Sequence, residues 1–116
     1  MHIAYLVITI LFAAMVSFSG LGKIRREPHQ VQVIHKTIGV PLKCFPLLAA
    51  CEFAGALGLV FGIWWPRLGV AAGLGLIVYF AGATVSHLWV GDVKGIGPAA
   101  FMLALAAAAL ATRILT

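Results

Sequence analysis

Four uninterrupted apolar stretches dominate the chain, running from about Ile3 to Leu21, Phe45 to Trp65, Leu68 to Val90 and Ile96 to Leu115. Each is long enough to cross ~30 Å of hydrocarbon at ~1.5 Å per helical residue. Runs such as FMLALAAAALA, residues 101–111, lack the alternating polarity of barrel strands. With no water to satisfy exposed backbone groups, helices are the spanning structure that remains. Only 9% of the 116 residues are charged and 63% are hydrophobic, against roughly 25% charged in a soluble domain. The expected fold is therefore all-α: one domain, residues 1–116, forming a four-helix transmembrane bundle. Pro46, Pro66 and Pro98 fall near the ends of the runs, where proline punctuates a helix.

The first stretch is read as a retained span. Only Met1 and His2 precede it, so it lacks the basic leader region of a signal peptide, and no small-residue cleavage site opens a soluble chain.

Basic residues set the expected orientation, because Lys and Arg accumulate in cytoplasmic connections. Lys23, Arg25, Arg26, Lys36 and Lys43 lie in or beside the first connection and Lys94 in the third, whereas the opposite side carries Arg67 and Arg113. Six against two places both termini outside and the long first connection in the cytoplasm. The net charge of +5 then reflects topology and contact with anionic headgroups, and nucleic acid is not an expected partner.

That first connection, KIRREPHQVQVIHKTIGVPLK, is patterned. Val31, Ile34 and Ile38 fall at i, i+3 and i+7, Pro28 suits an opening turn, and Gly39 followed by Pro41 suits a stop. A short amphipathic interfacial helix is expected, lying in the headgroup layer or acting as a lid over the bundle.

Glu52 is the residue that calls for a functional explanation. An ionisable side chain at membrane depth costs roughly 2.5–3.5 kcal/mol on insertion scales, so it normally faces the bundle interior and finds a partner. It shares a helical face with Ala49, Gly55 and Ala56, small residues suited to helix interfaces. The chain's direction brings further polar groups to the same side: Ser19 and Lys23 at the end of span one, Thr84 and His87 near the end of span three, and Asp92 just beyond it. A hydrogen bond from His87 or an ion pair with Lys23 would each satisfy Glu52. The ligand-binding set expected from sequence is Ser19, Lys23, Glu52, Thr84, His87 and Asp92. The bland alternative is interhelical glue for Glu52, a hydrated end residue for His87 and a headgroup anchor for Lys23.

Other chemistries find no support. Cys44 and Cys51 are seven residues apart, about 10.5 Å along one helix, too far for a disulfide. The four histidines lack metal-ligand spacing, so no metal is expected. No cofactor is demanded, although the inner-leaflet site would suit a bound quinone or lipid. The sequence assigns no catalytic residue.

SGLGKIRR at the end of span one, PLLAACEFAGALGLVFG in span two, GVAAGLGLIVYFAGATVSHLWVGD in span three and the Ala-rich final span resemble the DoxX-like proteins. The resemblance implies a small four-helix membrane protein and carries onto Ser19, Gly20, Lys23, Glu52, His87 and Asp92. It implies a subunit or partner in a membrane redox assembly associated with quinone, or an assembly chaperone for other membrane proteins. A proton-coupled exporter is disfavoured, because span one contains no acid. Expected partners are the lipid bilayer, a second copy or another membrane protein, and a quinone or lipid-like small molecule.

Overall fold

The computed structural model describes residues 2–116. Helix α1 spans His2–Ile24, a single turn α2 spans Pro28–Gln30, and α3, α4 and α5 span Phe45–Phe61, Pro66–Trp89 and Val93–Leu115. The four long helices are each apolar and long enough to cross a membrane, and α3 reaches 20 residues when its preceding 3-10 turn, Leu42–Cys44, is included. Helix α1 packs against α3 and α5, and α4 packs against the same two. Alternating directions therefore bring the α1–α3 and α4–α5 connections to one end of the bundle, called here the connector end. Both termini and the α3–α4 turn lie at the other.

The buried positions explain this packing. They are Tyr5, Thr9, Phe12, Ala13, Val16, Gly20 and Lys23 on α1. On α3 the main stripe is Phe45, Ala49, Glu52, Ala56 and Leu59, and on α4 it is Gly69, Gly73, Leu76, Phe80 and His87. Steps of three and four keep one seam facing the partner helix, as in left-handed helix packing. Phe12 and Phe80 meet at the centre, their rings 6.0 Å apart. At the terminal end the α3–α4 turn closes tightly, because a side chain on Gly62 would collide with the Gly69 backbone. Large apolar side chains such as Phe18, Val78 and Phe101 stay exposed outside the bundle, where lipid tails are an equivalent environment.

Helix ends differ from the sequence expectation in two places. Helix α5 begins at Val93, so Pro98 lies inside it, six residues in, where the ring removes the N–H that would bond the Lys94 carbonyl. The interfacial segment is helical only as a single α turn, then widens into π-type turns over Val31–Ile38. It stops where expected, at Gly39 with φ 96°. Val31, Ile34 and Ile38 are half-buried and Lys36 is exposed, so the segment does lie with its apolar side toward the protein.

Candidate polar site at the connector end

Lys23 and Glu52 meet between α1 and α3 because of how helical side chains point. Every Cα–Cβ bond tilts toward its helix N-terminus. Lys23, one residue from the end of α1, therefore projects back into the bundle. Glu52, seven residues into the antiparallel α3, projects toward the connector end. With the two helix ends level, their Cα atoms differ in depth by about 9 Å at ~1.5 Å per residue, a gap that two long converging side chains close. Nζ of Lys23 stands 2.5 Å from Oε1 of Glu52. The lysine is 5% exposed and the glutamate 0%, so Lys23 does the reverse of snorkelling to the surface.

Around this pair the polar contacts form one chain. Nζ of Lys23 donates to Oγ of Ser19 at 2.9 Å, and the Tyr79 hydroxyl donates to Oε1 of Glu52 at 3.2 Å. From the connector, Nε2 of Gln30 donates to the Ser19 carbonyl at 3.0 Å. Glycine at position 22 makes this reach possible, since a Cβ there would occupy the place of the Gln30 amide. Two acceptors in the chain are buried without any partner: Oε2 of Glu52 and Oε1 of Gln30.

The positioning of Gln30 begins at the end of α1. Arg26 adopts φ 51°, its N–H donates to the Lys23 carbonyl, and the Glu27 N–H donates to the Gly22 carbonyl at 2.8 Å. This is a Schellman stop made with a non-glycine residue in the left-handed region. The Glu27 carboxylate then accepts from the His29 and Gln30 backbone N–H groups, capping the single turn that aims Gln30 back at α1.

A second polar pair forms at the end of α4. Gly91 has φ 73°, Gly91 N–H donates to Leu88 and Asp92 N–H donates to His87, the same Schellman pattern. The turn folds Asp92 back over His87, and Nδ1 of His87 lies 2.9 Å from Oδ2 of Asp92. Thr84 spends its hydroxyl on the Phe80 carbonyl at 2.8 Å.

Of the six residues singled out from the sequence, the structure thus joins Ser19, Lys23 and Glu52 in one cluster and His87 with Asp92 in another. No hydrogen bond or ion pair among the described residues links the two. The Glu52 side chain has no exposed surface. Tyr79 and Gln30 were missed. Tyr79 carried a usable signal, since a tyrosine hydroxyl deep in a span needs a partner, and only two tyrosines occur in the chain. No group of three metal-ligating side chains occurs among the described residues.

The terminal end holds a different cation. Nη1 of Arg113, on α5, donates to the Tyr5 hydroxyl at 3.1 Å and to the Gly62 carbonyl at 3.2 Å. Its guanidinium carbon also lies 4.5 Å from the Tyr5 ring centre. One side chain thereby ties α5 to α1 and to the C-terminal cap of α3, where a cation complements the exposed carbonyls.

The sequence model of the DoxX-like family matches residues 7–109. The chain belongs to the DoxX-like family. Comparison with curated proteins returned no match, and neither did comparison with solved structures. The match takes in every residue of both polar clusters but excludes Tyr5 and Arg113.

Proposed function

We propose that this DoxX-like protein is a small membrane subunit of a redox assembly associated with quinone, holding the polar end of a quinone or lipid-like molecule at Ser19, Lys23, Glu52 and Tyr79. One observation carries the reading: Oε2 of Glu52 is buried and unpartnered. An ion pair serving only as glue is expected to satisfy both carboxylate oxygens, because an idle buried acceptor costs about 1–3 kcal/mol. A bound hydroxyl would recover that cost. Lys23 has used two of its three donors, on Ser19 and Glu52, and keeps one for a carbonyl. On this reading His87, Asp92 and Thr84 form the α4 side of the approach, and Gln30 with the Pro28–Ile38 segment must move for a headgroup to enter. The connector end is proposed to face the cytoplasm, from the six-to-two distribution of basic residues.

The test is extraction of small molecules from protein purified out of native membranes, followed by mass spectrometry. A quinone or lipid-like compound in near-stoichiometric amount, depleted in Glu52→Gln, is the expected result. A parent protein that carries nothing beyond bulk lipid would remove the reading.

A second reading, an assembly partner for another membrane protein or a second copy, is favoured by α4. Its outward positions include Gly75 and Gly82, with nothing within 4 Å of where a Cβ would stand, as a closely packed partner helix would require. Chemical cross-linking in native membranes distinguishes the two, since a partner would be captured through single cysteines at these positions.

A further inference from the structure

A groove of 430 Å³ runs between α1 and α3, with Ala13, Ala14 and Ser17 on one wall and Phe53, Ala56 and Leu57 on the other. Its volume falls within the ~300–1,000 Å³ of small-molecule sites, and Ala14 and Leu57 on its rim are exposed, so it opens toward lipid. It begins where the polar cluster ends. Ala56 on its floor follows Glu52 by one turn on the same buried stripe, and Ala13 belongs to the α1 stripe that continues through Val16 and Gly20 to Lys23. The Phe53 ring connects the two regions: it lines the groove and covers Gly20, whose absent Cβ would stand 3.1 Å from the ring. From Phe53 to Val60 the α3 wall extends about 10 Å away from the connector end at ~1.5 Å per residue.

The two halves specify one kind of molecule. At the polar end, two buried acceptors, Oε2 of Glu52 and Oε1 of Gln30, lack donors. Lys23 and Glu52 already cancel each other's charge, so a neutral donor can be accepted without burying a further unpaired ion. We infer that the site takes a neutral, hydroxyl-bearing amphiphile, its hydroxyl donating to Oε2 of Glu52 and its apolar chain lying in the α1–α3 groove toward the bilayer centre. This rests on the reading that Glu52 holds a headgroup, and adds the head's charge and hydrogen-bonding class and the path of the tail.

The full chain reconstituted in phosphatidylcholine vesicles tests it, with a long-chain primary alcohol bearing a mid-chain photoreactive diazirine as the probe. Adduct positions are mapped by peptide mass spectrometry. The expected adducts concentrate several-fold on Ala14, Ser17 and Leu57 over the lipid-facing Val78 and Phe101. They fall to the background of those two residues in Glu52→Gln, and also in Ser17→Phe, which fills the groove without touching the ion pair. Ala14→Phe replaces Ser17→Phe if a thermal melt shows that variant unfolded. Adducts spread evenly over the lipid-facing surface overturn the tail path, while the extraction experiment can still uphold a headgroup at Glu52. Groove labelling that persists in Glu52→Gln overturns the tie between head and tail. Stronger groove labelling by the matching trimethylammonium probe than by the alcohol overturns the neutral head.

Discussion

The two ends of the bundle each bury a cation, and they stabilise it by different means. Arg113 at the terminal end meets only neutral groups, a tyrosine ring and hydroxyl and a helix-capping carbonyl, and its Nη1 alone bonds to both neighbouring helices. Lys23 at the connector end is neutralised by a carboxylate at 2.5 Å. The first arrangement is a clamp that joins helix ends. The second concentrates opposite charges in a dry interface; each end leaves one atom of its ionic side chains idle, Nε of Arg113 in the clamp, a donor, and Oε2 of Glu52 in the pair, an acceptor open to a hydroxyl. Both tyrosines of the chain follow the same division, Tyr5 on the cation and Tyr79 on the anion.

That contrast is sharpest under charge removal. Lys23→Met strands a buried carboxylate and should destabilise the detergent-solubilised protein by about 3–5 kcal/mol, whereas Lys23→Met combined with Glu52→Leu should return close to the parent, since an apolar replacement of a whole buried pair is often neutral. Thermal melts of the two variants check this, and equal losses in both would show that the residues are not coupled. Arg113→Ala leaves no stranded opposite charge, so its cost should be smaller, about 2 kcal/mol from the lost hydrogen bonds and ring contact. Arg113→Lys should recover the hydrogen-bonding part of that loss, since a single nitrogen makes both bonds, but not the planar contact on the Tyr5 ring. Should Arg113→Ala prove the more damaging of the two cations, the clamp rather than the ion pair holds the bundle.

Smaller changes refine the comparison. Tyr79→Phe and Tyr5→Phe each remove one hydroxyl and should cost about 1 kcal/mol, with only Tyr79→Phe altering ligand retention in the extraction assay. Replacing Gly22 by Ala should displace Gln30 from the Ser19 carbonyl. The expected consequence is faster hydrogen exchange confined to the Pro28–Ile38 segment, and unchanged exchange there would show that Gln30 does not hold it down. Least perturbing is the test of which end faces which side. Single cysteines at Gln30, Lys94, Arg67 and Thr116, in a background lacking Cys44 and Cys51, should react with an impermeant thiol reagent from outside only at the last two. Reaction at Gln30 would reverse the orientation.

Much of this protein was legible without coordinates. Length and apolarity determined four spanning helices, because a chain in lipid has few other ways to satisfy its backbone. Glu52 announced a buried polar site for the same reason, and Gly39 marked the end of the interfacial segment through its freedom at positive φ. The sequence left two partners open for Glu52, and only the tertiary structure chose Lys23, because the choice depends on which helices are neighbours and on the backward tilt that makes antiparallel side chains converge. The same dependence hid Tyr79 and Gln30, which meet the cluster from another helix and from the connector. His87 and Asp92 were taken from the sequence as members of one convergent site with Glu52; the Schellman turn at Gly91 instead folds them onto each other. Arg113 was legible as a charge for setting topology, but its role as a clamp exists only where α5 meets α1 and the end of α3. Periodicity in a sequence determines which face of a helix is buried, while the neighbour that face meets is decided by the packing of the whole bundle.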